Sequence, residues 1–170
     1  MTTGSKTLYT RVAVAVLAII LVIVAVKVLF LQGRAKALLD RAYEKHLAGD
    51  TAGAMADYTA VLEMPDAPAD VKAEALINRG IAEVESGDRE GAMADWTAVV
   101  EMPGAPAKQK AKALVGRGRA KDKLGDSAGA IADYTAALKV PHAPARVKEE
   151  AAAAMRRALT NLDKSGATGE

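Results

Sequence analysis

One segment of twenty-one residues occurs three times in this chain, at an unvarying interval of 38. Gly49–Ala69 reads GDTAGAMADYTAVLEMPDAPA and Gly87–Ala107 reads GDREGAMADWTAVVEMPGAPA, identical at sixteen positions. The third copy, Gly125–Ala145, reads GDSAGAIADYTAALKVPHAPA. A unit this short cannot bury its own apolar face. Three copies in register therefore demand stacking, in which each supersecondary unit covers the next.

The local chemistry makes each unit a pair of helices. Gly49, Gly87 and Gly125 suit a left-handed helix end, and Asp50, Asp88 and Asp126 suit the cap that opens the next helix. That second helix runs about thirteen residues to Pro65, Pro103 or Pro141, which stops it. A short Pro-x-Ala-Pro loop leads to the following long helix. Small residues recur where two backbones must approach: Ala54, Ala92 and Ala130 on the short helices, Ala42, Gly80 and Gly118 on the long ones. Tyr58, Trp96 and Tyr134 stand four residues after those alanines on the same face and are read as packing between repeats, with ligand stacking as the alternative. Arg41, Arg79 and Arg117 share the period with Asp57, Asp95 and Asp133, which predicts an ion-pair ladder within or between repeats. Aromatics at 4% and an alanine-rich apolar fraction agree with closely packed helices.

The set Asn78-Arg79-Gly80, Gly87-Asp88, Ala92, Trp96 and Pro103 resembles the tetratricopeptide repeat family. The third copy matches with Gly118, Gly125-Asp126, Ala130, Tyr134 and Pro141, and the first with Ala42, Gly49-Asp50, Ala54 and Tyr58. The resemblance covers roughly residues 34–143, in repeats of about 34–66, 67–104 and 105–143. It departs in its period of 38 rather than 34, and in Arg41, Arg79 and Arg117, where the family often has Leu. It implies an all-α solenoid of three hairpins whose first helices line a concave peptide-binding face. By register that face carries Lys36, Leu39, Tyr43, Glu74, Ile77, Asn78, Ile81, Lys112, Val115, Arg119 and Lys123. Some members grip a partner's C-terminal carboxylate through five Lys, Asn and Arg positions. This chain keeps Asn78 and Lys112 and has Leu39, Tyr43 and Gly116 at the other three, so that clamp is not carried over.

The flanks have separate roles. After a short basic tail, residues 1–11, Val12–Leu31 contains fifteen Val, Ile, Leu or Phe residues and one charge, Lys27. Twenty residues at about 1.5 Å each match a hydrocarbon core of about 30 Å, so a single transmembrane helix is expected. Ala35-Lys36-Ala37 resembles a cleavage site, but the apolar run exceeds the usual ~7–15 residues of a signal peptide. Counting basic residues favours a cytoplasmic repeat domain, while the acid-free basic start looks like a signal anchor that would export it; both orientations stay open. An alanine-rich, cysteine-free composition suits a bacterial inner-membrane protein. Residues 144–163 are expected to form a capping helix with the stripe Val147, Ala151, Ala154, Ala158 and Leu162, and residues 164–170 a disordered tail.

No catalytic constellation appears. His46 and His142 lie about a hundred residues apart, no metal, phosphate-loop or calcium motif occurs, and Asp57, Asp95 and Asp133 are periodic and so structural. No enzyme activity, cofactor or metal is expected. Nor is nucleic-acid binding, since the lysines are not interleaved with aromatics. The charge is asymmetric: residues 34–107 carry 7 basic and 14 acidic groups, residues 108–170 carry 13 and 7. The expected function is a membrane-anchored scaffold that docks a protein or peptide, through Asn78, Ile81, Lys112, Val115, Arg119 and Lys123. The alternative is a structural scaffold, in which copies associate through complementary acidic and basic ends.

Overall fold

The computed structural model describes the backbone of residues 3–167 and the side chains of residues 11–163. Among them there are seven helices and no strand: α1 (Thr3–Leu47), α2 (Thr51–Glu63), α3 (Ala69–Ser86), α4 (Arg89–Glu101), α5 (Ala107–Lys123), α6 (Ser127–Lys139) and α7 (Ala145–Ala167). The boundaries follow from local chemistry. Asp50, Asp88 and Asp126 each accept a hydrogen bond from the amide of the residue three on, Gly53, Gly91 and Gly129, at 2.8–2.9 Å. A cap of this kind contributes about 1 kcal/mol. Met64, Met102 and Val140 are extended, as a residue before proline must be, and so α2, α4 and α6 end there. Gly87 closes α3 at φ +93°, a conformation that an added Cβ would strain.

Two boundaries differ from expectation. From Thr3 onward the basic tail, the apolar stretch and the first long helix are one uninterrupted helix, α1, because no glycine pair or proline divides them. At the other end α7 continues through Ala167, so the tail expected to begin at residue 164 is helical for its first four residues. Residues 168–170 lie outside the described residues. The apolar stripe of α7 is buried at Val147, Ala151, Ala154 and Ala158 but not at Leu162, which is exposed.

Each helix packs against the next, and α1–α3, α3–α5 and α5–α7 also touch. The core is three clusters, one per aromatic residue. Tyr58 packs with Leu39, Ala42 and Val61; Trp96 with Leu76, Ile77 and Val99; Tyr134 with Leu114, Val115 and Val147. Leu62 bridges the first cluster to the second, and Val100 the second to the third. Ala54, Ala92 and Ala130 are fully buried. The small residues on the long helices make room for the rings. A Cβ on Gly118 would lie 2.6 Å from Tyr134 Cε1, and one on Gly80 would lie 2.8 Å from Trp96 Nε1.

The Arg–Asp pairs form inside each hairpin, not across hairpins. Arg41, Arg79 and Arg117 each hold the Asp sixteen residues on with two parallel hydrogen bonds of 2.7–2.9 Å. The tie between repeats comes from the third guanidinium nitrogen. Arg79 Nη1 donates to Thr59 Oγ1 and Arg117 Nη1 to Thr97 Oγ1, both at 3.0 Å. One planar arginine thus fastens its own hairpin and the preceding one, which a lysine could not do. Along α7 the register of these arginines falls on Met155, and Thr135 Oγ1 meets its sulfur at 3.6 Å instead. The last helix thus occupies the place of a further long helix with a thioether in place of the charge.

Candidate functional site

Between α3 and α5 lies a groove of about 370 Å³. All six residues singled out from the sequence, Asn78, Ile81, Lys112, Val115, Arg119 and Lys123, line it. They are not equivalent. Ile81 is 42% exposed and Lys112, Arg119 and Lys123 stand open on the rim, whereas Val115 is 3% exposed and forms floor. Ile77, expected on the same face, is 6% exposed and still lines the groove, as part of its floor. Leu39, expected there too, is buried in the core beside Tyr58.

The floor has one feature that register alone did not assign to the site. Trp96, read chiefly as packing with ligand stacking as the alternative, also lines the groove. Its Nε1 donates to the Ile77 carbonyl at 3.4 Å, and its ring rests against both long helices. A Cβ on Gly116 would stand 2.9 Å from Trp96 Cε2, so the indole fits only because this position of α5 lacks a side chain. In the repeat register Gly116 aligns with Asp40 and Asn78, and Trp96 with Tyr58 and Tyr134. Two departures from the repeat therefore fall at one place: a larger ring and an emptied position opposite it. Those mismatches are the signal by which the sequence marked the floor.

The rim is mostly basic. Lys112, Arg119 and Lys123 come from α5 at spacings of 7 and 4, and Arg89 enters from α4. Arg119 reaches Glu150 of α7 only at 3.9 Å, with both side chains about half exposed. Glu85 adds an acid on the α3 side, 3.4 Å from His46. The basic run of α5 is smaller than its sequence suggests, however. Arg117 and Lys121 turn to the other side and are both held by Asp133, at 2.7 and 2.9 Å. Lys112 and Lys123 make no ion pair among the described residues.

Burial and ion pairing shift Asp57, Asp133, Tyr58 and Glu83 from their ordinary values. Hydrogen bonds from Arg41, and then from Lys45, hold Asp57 down at about 2, against the opposing effect of burial. Burial alone would raise Asp133, yet the bonds from Arg117 and Lys121 outweigh it and keep it below the usual carboxylate range. Burial pushes the Tyr58 phenol up to about 12. Glu83 is the exception among the acids, raised to about 7 by burial and by the nearby Asp95, with Arg79 opposing.

Among the described residues no cluster of His, Asp and Glu could hold a metal ion. No protein-family model matches the chain, and no curated protein matches it. Among the described residues the chain is all-helical and built of repeats, with one helix long and apolar enough to cross a membrane near its N-terminus.

Proposed function

We propose that the chain is a single-pass membrane scaffold whose hairpins form a tetratricopeptide-like solenoid, and that the groove between α3 and α5 docks an extended acidic segment of a protein partner. The observation that carries this reading is the groove's composition: an indole floor opened by Gly116, beneath the cations Lys112 and Lys123, which form no ion pair among the described residues. An apolar side chain of the partner would rest on Trp96 while a neighbouring carboxylate meets the rim. Exposed charges of this kind set the encounter rate and the choice of partner more than the depth of binding, and added salt weakens them.

Trp96 is the single tryptophan of the chain, so its fluorescence reports occupancy directly. A ten-residue probe peptide with one leucine and two glutamates should shift the emission, and its counterpart with two lysines should not. Joint reversal of Lys112, Arg119 and Lys123 to glutamate should weaken the acidic peptide roughly tenfold or more at low salt. Circular dichroism should show helicity unchanged, because all three side chains are exposed. Equal binding of both peptides, or undiminished binding by a folded triple variant, would remove the groove as the docking site.

Anchoring rests on α1. Val12, Leu17, Leu21, Val24 and Phe30 are all about half exposed or more, and nothing in the folded repeats covers them. A hydrocarbon layer would. Membranes carrying the chain should retain it through carbonate extraction. Recovery of a soluble form that begins near residue 38 would show instead that the segment is a removable signal.

A further inference from the structure

Loops of two to five residues join the helices, so neighbours run antiparallel and α1, α3, α5 and α7 share one direction. The starts of α3, α5 and α7 and the ends of α2, α4 and α6 thus lie along a single edge, which faces back along α1. Asp66, in the first Pro-x-Ala-Pro loop, borders a crevice with Val24, Lys27, Val28 and Leu31 of α1. That edge therefore stands level with the last turns of the apolar stretch and with its one charge.

The charge along the edge is graded. Close to α1 it holds Glu63, Asp66 and Asp70 against Arg34 and Lys72. Over the second and third loops it holds Lys108, Lys110, Lys139, Arg146 and Lys148 against Glu101 and Glu149. Arg146 lies 3.4 Å from Glu150, but its side chain is 89% exposed and free to turn outward. We infer that this outer part of the edge rests on an anionic bilayer, with Lys108, Lys139, Arg146 and Lys148 meeting lipid phosphates. The inference depends on α1 being a membrane anchor. If it is, the basic groups sit at the headgroup level by construction, within the ~8–10 Å over which such attraction acts. The acidic stretch beside α1 is repelled by the same surface, so the stack is seated by its far end.

The chain contains no cysteine, so a single introduced thiol can be labelled uniquely. Ala145→Cys places a fluorophore on the edge, and Ala128→Cys places one at the opposite end of the helices; both positions are exposed. The full chain is reconstituted into vesicles of phosphatidylcholine, with or without phosphatidylglycerol, that carry a headgroup quencher. The Ala145 label should be quenched about twofold more in the anionic vesicles, and the excess should vanish with salt or with Lys139→Glu, Arg146→Glu and Lys148→Glu combined. The Ala128 label should stay unquenched in both. A chain that fails to float with the vesicles overturns the anchor and this inference together. A chain that floats but gives equal quenching in the two lipids, or an excess that survives the triple reversal, overturns this inference alone.

Discussion

Asp133→Ala should lower the stability of the folded repeats by about 3 kcal/mol, which corresponds to roughly 10 °C in Tm for a domain of this size. Asp133 is 5% exposed and receives two hydrogen bonds from Arg117 and an ion pair from Lys121. Removing it leaves two cations facing a position where water has little access. The loss falls at the low end of the ~3–5 kcal/mol usual for breaking a buried pair, because the two cation side chains are 19% and 26% exposed and can partly reorient. Asp57→Ala provides the contrast. Its partner Arg41 is 58% exposed and ties no earlier repeat, so its loss should be nearer ~1 kcal/mol. Thermal unfolding of both variants in detergent checks the ordering, and equal losses would show that burial does not set the value of these pairs. The same pairs fix the acid limit. Both carboxylates are depressed in the folded state, so their contribution is complete above the ordinary carboxylate pKa and is lost as pH falls through the folded values, toward about 2 for Asp57.

Glu83→Gln should do the reverse and stabilise the protein by about 1–3 kcal/mol at pH 8, with almost no effect at pH 4.5. In the repeat register position 83 aligns with Lys45 and Lys121, each of which lies 2.9 Å from its Asp. The middle repeat puts a carboxylate there, 7% exposed, with Oε2 lacking any hydrogen-bond partner and Arg79 no closer than 3.7 Å. A folded-state pKa raised from 4.5 to about 7 means that the fold holds the neutral acid at lower cost than the ion. The penalty is absent below 4.5, grows as pH rises toward 7, and is complete above it. Glu83→Lys should stabilise further at pH 8 by restoring the pair with Asp95. Denaturant unfolding at the two pH values checks the sign. A gain from Glu83→Gln that is the same at both would mean that the carboxylate is not the source.

The helix boundaries were legible because their causes are local: an aspartate cap, a glycine in the left-handed region, a proline that forbids continuation. The Arg–Asp ladder was legible as a shared period, although its direction was not, since a register of 38 fits bonds within or between repeats equally well. Thr59, Thr97 and Thr135 recur at the same interval, but nothing in a hydroxyl's spacing says which neighbour it meets. The groove residues were placed by register, and the floor was left out because packing between repeats was preferred to ligand stacking for Trp96, which shares its period with Tyr58 and Tyr134. Seeing that Gly116 answers Trp96 requires the distance between α4 and α5. The unbroken course of α1 was likewise hidden, because a change from an apolar to a polar sequence along a helix leaves no mark on its backbone.

If α1 is the membrane anchor proposed above, that continuity gives it mechanical authority over the domain. A helix of 45 residues is about 67 Å long, and no hinge separates its apolar part from the part that packs on α2. Any lean of the anchor is imposed on the whole stack. At helix spacings of about 10 Å, α7 lies some 30 Å to the side of α1, so a lean of ~20° raises or lowers it by about 10 Å. Apolar helices lean when the hydrocarbon layer is thinner than they are. Bilayer thickness would thereby become an input to the far end of the protein, and the quenching of a label at Ala145→Cys should change with the acyl-chain length of the vesicles. Insensitivity to chain length would mean that α1 bends between its two solvents.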